Sequence, residues 1–261
     1  MFKEAMPSPN EKLLISICTD VVLLLIVLAP VLILYIVGSP LQRGFFCNDV
    51  TIRYPYIPSV LPGVIVVVLF IIAPIFVVLL IEYLHVRKCS ASFRRKDKIK
   101  KWLLSFFKFL KVFLFGLGLS LMTVVIFKFT LGRLRPHFID VCNPDWSQSN
   151  CSSAPEQYVE EDICNPESDE DDNLIRNARL SFMSSRASTS AYSMFFIIFY
   201  LQYRLIVQSY SLLRPFLQYL FFALAIYVSI SSIASNDNHW SDVFAGFLNV
   251  YTFLGLPINC C

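Results

Sequence analysis

The sequence predicts an all-α, polytopic membrane protein: a helical bundle of six transmembrane helices with both termini in the cytosol. Three observations carry this. The 261 residues are 56% hydrophobic, with a mean hydropathy of +0.61, a more apolar balance than a soluble domain of this length shows. Charge is confined to islands between apolar runs of membrane-crossing length. One island, Arg87-Lys88 and then Arg94 to Lys101, holds eight of the 22 Lys and Arg residues, and the positive-inside rule places it in the cytosol. A basic run between two membrane spans does not suit nucleic acid, so no such partner is expected.

The elements follow in order. The first twelve residues are polar, and the first span covers 13–37, too long an apolar run for a cleavable signal peptide. Asp20 lies near its entering end and reads as a hydrated structural group. Residues 38–58 form a loop rich in aromatics and prolines, suited to a membrane interface. The second span, 60–84, enters the basic island, and the third, 103–127, returns outward. The loop 137–179 then carries eleven of the 19 acidic residues. It also holds the chain's only glycosylation sequon, at Asn150. Its cysteines Cys142, Cys151 and Cys164 suit an oxidising compartment. Which of them pair, and whether Cys47 joins, stays open. The fourth span covers 187–207, the fifth 214–233, and the sixth 242–257, shorter than the roughly 20 residues a full crossing prefers. No paired charges or interrupted inverted repeats are read within the spans, so transport is not expected. Cys260 and Cys261 fit palmitoylation or two inert thiols equally.

This topology brings three polar segments to the exoplasmic face: 128–137, 181–190 and 231–242. In the first, Lys128, Arg133 and Arg135 fall within one or two helical turns of a membrane boundary. A lysine supplies a point charge and an arginine a bidentate fork, a combination suited to phosphate. The competing reading is that these are flanking residues that snorkel to headgroups. Convergence of three helix ends, where free N–H groups and the helix dipole favour anions, weighs for phosphate.

Specific motifs sharpen this. Lys128 is followed after six residues by Arg135-Pro136, and the pattern extends to His137-Phe138 and Val141-Cys142. Arg43-Gly-Phe-Phe-Cys-Asn-Asp49 and Ile52-Arg-Tyr-Pro-Tyr56 form a first outer loop, and His239-Trp-Ser-Asp242-Val precedes Ala245-Gly246. Over nearly its whole length the chain resembles the lipid phosphate phosphatase family, the membrane branch of the type 2 phosphatidic acid phosphatase superfamily. The resemblance implies phosphate ester hydrolysis without metal or cofactor. A histidine attacks phosphorus, an aspartate four residues on orients it, and the histidine of a Ser-Gly-His signature protonates the leaving oxygen. The phosphate-binding positions so implied are Lys128, Arg135, Ser184, Ser185 and Ser232, and the catalytic ones are Asn238, Asp242 and Arg186.

Several of these depart from the pattern. Asn238 stands at the nucleophile position, and Ser184-Ser185-Arg186 replaces Ser-Gly-His. Ser232 takes the place of a phosphate-binding arginine. An amide does not attack phosphorus at a useful rate, and a guanidinium does not cycle as an acid. His239 is the off-register candidate, three residues before Asp242, but one residue on a helix rotates a side chain by about 100°. Active members of the family carry a histidine there too, beside the nucleophile. The expectation is a pseudophosphatase of the plasma membrane with an exoplasmic site. Its partners are membrane lipids and lipid phosphates such as phosphatidate, lysophosphatidate and sphingosine phosphate, with a homo- or hetero-oligomer of family members as a further possibility. The alternatives are an active phosphatase working through His239 and a structural protein with no remaining ligand.

Overall fold

The structure, a computed structural model, describes residues 9–59, 65–66, 68–89, 95–148, 151, 154, 156–165, 169–205 and 211–252. Asn150, the ends of the chain and 253–257 of the expected sixth span lie outside them. In chain order the helices are α1 (Pro9–Val37), α2 (Ala73–Cys89, entered through a π turn at Val68–Ile72) and α3 (Arg95–Leu131). Two short ones follow, α4 (Phe138–Cys142) and α5 (Asp169–Ala178). Then come α6 (Ser185–Arg204), α7 (Leu213–Ala234) and α8 (Trp240–Leu248).

Among the described residues four stretches are long and apolar enough to cross a membrane: Leu14–Val37, Val68–Arg87, Lys96–Leu131 and Leu213–Ala234. The protein is an integral membrane protein. Helix α6 covers most of the expected fourth span but is not among those four, for a physical reason. Its buried face is built from Ala187, Ser188, Ser190, Ala191 and Ser193, small residues that let backbones approach inside a membrane bundle and lower the mean hydropathy. Ser188 Oγ lies 2.8 Å from Ser120 Oγ of α3. Asn249 Nδ2, just past α8, donates to Ser188 Oγ at 2.9 Å. Below this polar knot the core is apolar and aromatic, with Phe70, Phe113, Met194, Ile197 and Tyr200 all buried.

The expectation that the spans lack paired charges is corrected. Lys111 of α3 donates to Asp20 of α1 at 2.6 Å, and Arg204 of α6 donates to Glu82 of α2 at 2.8 Å. Each partner comes from a different span, so no single apolar run reveals the pair.

One end of the bundle carries a cap of loops. Strand β1 (Phe45–Phe46) pairs antiparallel with β2 (Tyr158–Val159), Phe45 opposite Val159. Disulfides join Cys47 to Cys151 and Cys142 to Cys164, so the loop 38–58 is tied to the acidic loop. Beneath them Phe45, Ile52, Leu134, Phe138 and Ile175 form a second core. Helix α3 stops at Gly132, whose φ is +53°. A Cβ at this position would lie 2.2 Å from the Leu41 carbonyl oxygen, so both the left-handed backbone and the close approach need glycine. That turn swings Arg133 to His137 across the end of the bundle.

Candidate functional site

The three polar segments do converge, and backbone hydrogen bonds sew them together. Ser181 N–H donates to Arg133 O at 2.9 Å, Arg135 N–H to Ala178 O at 2.8 Å, and Ser184 N–H to Asp242 O at 3.1 Å. Helix α8 reaches α6 closely because Gly246 has no side chain: a Cβ there would lie 2.6 Å from Ser184 O.

On this frame sits a cluster of basic side chains around one carboxylate. Arg135 Nη1 donates to Asp237 Oδ1 at 3.2 Å, and Arg186 Nη1 donates to Asp237 Oδ2 at 2.8 Å. Ser235 Oγ adds a third bond to Asp237, at 2.9 Å. Arg186 is held from its other side by Ser59 Oγ at 3.0 Å. Lys128, only 4% exposed, donates to the Leu180 carbonyl. Two buried donors of the cluster, Arg135 Nε and Ser232 Oγ, have no partner among the described residues. Buried polar groups are rarely left in that state. Burial lowers the pKa of Arg135, and the Asp237 carboxylate works against that shift.

The positions matched to the family's chemistry lie beside this cluster. Asn238 is buried, and its amide Nδ2 donates to Ser181 O at 2.7 Å. Ser184 caps α6, accepting from Ala187 N–H, and Ser185 is the first residue of that helix. Asp242 is fully buried and receives Arg133 and the Ser181 hydroxyl. His239 Nδ1 lies 3.3 Å from Asp242 Oδ2, so an imidazole–carboxylate pair does exist. Its surroundings are different, however. His239 lines a cavity of about 280 Å³ formed with Arg43, Asp49, Thr51, Arg133 and Tyr158, and Lys128, Arg135 and Arg186 are not part of that wall. His239 therefore opens on a cavity that the main cationic cluster does not line.

His137 borders the site. Its Nδ1 lies 2.8 Å from Asn236 O, and the Tyr56 ring packs edge-on at 5.1 Å. Burial, and then the Arg135 guanidinium, hold its pKa below the ordinary 6.5.

Asp237 is the residue that sequence reasoning passed over. The signal was present: three basic residues were expected to converge, and a charge that such convergence buries is costly unless paired. The third segment offers two carboxylates, Asp237 and Asp242, and each takes arginines. Arg186 pairs with Asp237.

Residues 109–259 match the PAP2 superfamily. The chain is 40% identical to rat phospholipid phosphatase 1 over 233 residues, 88% of this chain and 78% of that protein. It is 35% identical to mouse phospholipid phosphatase 2 over 238 residues, 91% of this chain and 83% of that protein. Human phospholipid phosphatase 2 is 36% identical over 237 residues, 90% of this chain and 78% of that protein. No solved structure matches the chain. The chain belongs to the PAP2 superfamily, and within it to the phosphatidic acid phosphatase family of phospholipid phosphatases.

Proposed function

We propose that this protein is a phospholipid phosphatase relative that binds lipid phosphates without hydrolysing them. Its site faces the exoplasmic side of the plasma membrane, and it acts alone or in hetero-oligomers with active relatives. Six spans, cytosolic termini and a glycosylated Asn150 complete the reading. The disulfides support that side for the loops, because cytosolic thiols are kept reduced.

The observation that carries the proposal is the coincidence of two features. Asn238 and Arg186 occupy the positions where the family's reaction needs a nucleophile and an acid. Both lie within a cluster that keeps Lys128, Arg135 and unpaired buried donors. Binding survives the loss of a nucleophile because it rests on charge and hydrogen bonds; turnover does not. A phosphate monoester carries more charge than a carboxylate, so it can exchange with Asp237 for the two arginines.

Restoration tests this. Asn238→His alone leaves the leaving alkoxide without a proton donor and is expected to stay inactive. Ser185→Gly, Arg186→His, Ser232→Arg and Asn238→His together rebuild each missing role and are expected to release phosphate from phosphatidate without added metal. A quadruple variant that folds, binds phosphatidate and releases nothing contradicts the reading.

One observation favours a second reading. The His239–Asp242 pair at 3.3 Å opens on a cavity that also holds Arg133, an arrangement suited to an active phosphatase using His239. Phosphate release by the wild type that His239→Ala abolishes would establish it.

A further inference from the structure

We infer that Asp237 makes the cationic cluster selective for phosphate monoesters over phosphate diesters. This rests on the reading above, in which the cluster holds lipid phosphates. At a membrane surface the abundant phosphates are the diesters of ordinary phospholipids, each with one negative charge. Bare cations at such a surface would be filled by them.

Asp237 is built to prevent that. Its side chain is 8% exposed and is bonded on both oxygens, by Arg135 at 3.2 Å and Arg186 at 2.8 Å. It is fixed from the backbone as well. Asn236 turns the chain at a φ of +56°, and the N–H groups of Asp237 and Asn238 both donate to Ser232 O at 3.1 Å. The carboxylate is thus part of the frame and already supplies one negative charge to the two arginines.

An incoming diester also brings one charge. Exchanging it for the carboxylate gains no electrostatic energy and must open two ion pairs, so it is disfavoured. A monoester at neutral pH carries between one and two charges, with a second pKa of about 6, and three terminal oxygens. The extra charge is met by Lys128, and the extra oxygens by the unpaired Arg135 Nε and Ser232 Oγ. Lys128, Arg133, Arg135 and Arg186 against Asp237 and Asp242 leave an excess that a dianion matches and a monoanion does not. Selection comes from a built-in competitor, which is specificity by exclusion of the wrong partner.

The test uses the full chain in detergent micelles, titrated with short-chain phosphatidate, short-chain phosphatidylglycerol and inorganic phosphate. Wild type is expected to prefer phosphatidate to phosphatidylglycerol by at least about tenfold, and Asp237→Asn to reduce that preference to within about threefold by gaining diester binding. Because Asp237→Asn leaves two guanidinium groups without a counter-ion, a second variant, Asp237→Ser with Arg186→Ser, removes an ion pair as a neutral unit. It is expected to lose the preference likewise. Inorganic phosphate weaker than phosphatidate assigns the site to the lipid, and equal binding assigns it to free phosphate; both outcomes support selection by charge. A wild-type preference that persists in either folded variant overturns the role of Asp237 and leaves the binding function standing. Failure of every protein to bind phosphatidate overturns the binding function itself. Equal wild-type affinity for monoester and diester overturns the selectivity alone.

Discussion

Two buried carboxylates of this protein meet arginines at opposite ends of the same bundle, and they are arranged differently. Glu82 is fully buried and receives Arg204 through Nε at 2.8 Å and Nη2 at 3.2 Å. The Tyr200 hydroxyl donates to it at 2.9 Å, and Arg204 is held further by Ser105 Oγ at 3.0 Å. One cation faces one anion through a fork that uses both carboxylate oxygens, the geometry of a clamp between α2 and α6. Asp237 instead stands among Arg135, Arg186 and Lys128, with two donors of its cluster unpaired. The first arrangement is closed and holds helices. The second has charge and hydrogen-bonding capacity left over, which a clamp does not need and a ligand site does.

Breaking the clamp is expected to give the largest effect. Glu82→Gln removes the buried carboxylate from its ion pair with Arg204 and should destabilise the protein by about 3–5 kcal/mol, read as a lower midpoint of thermal unfolding in detergent. Phosphatidate binding by the protein that remains folded should not change. A drop in binding with unaltered unfolding would erase the distinction between the two ends.

The site end should respond in the opposite way. Lys128→Ala with Arg135→Ala is expected to weaken phosphatidate binding by roughly 1.5–3 kcal/mol for each charged hydrogen bond lost, measured by titration in micelles. Unchanged binding in this double variant would rule the cluster out as the phosphate site.

A smaller effect is a pH dependence confined to the site end. Burial holds the His137 pKa below 6.5 in the folded protein, so folding disfavours its charged form. The unfolded chain therefore binds more protons below about pH 6.5, and stability falls as the pH drops through that value toward the folded pKa. The loss cannot exceed about 1.4 kcal/mol for every pH unit that separates the unfolded pKa from the folded one. A His137→Gln variant should flatten the pH dependence of the unfolding midpoint below about pH 6.5. An unflattened profile would assign the dependence elsewhere.

Much of this was legible in the sequence. Apolar run lengths located the helices, since a membrane imposes a length that few other environments demand. Lys128, Arg135, Ser232 and Asn238 were legible as one site because their motif spacing survives. The clamp and Asp237 were not. Glu82 and Arg204 lie on helices α2 and α6, and a charge near a span's end looks like an interfacial residue until its partner is in view. Asp237 neighbours a position defined by what it lacks, so attention fell on Asn238. Only the fold shows both arginines reaching one carboxylate. The disulfides were equally hidden, because spacing does not specify pairing.

The central claim is that the cluster binds phosphate and does not turn it over. The most direct measurement is phosphate release from radiolabelled phosphatidate by the purified wild-type chain, without added metal, beside its His239→Ala variant. The account predicts no release from either protein while both still bind phosphatidate. Release by the wild type that His239→Ala abolishes would contradict it and make His239, held by Asp242, the working nucleophile.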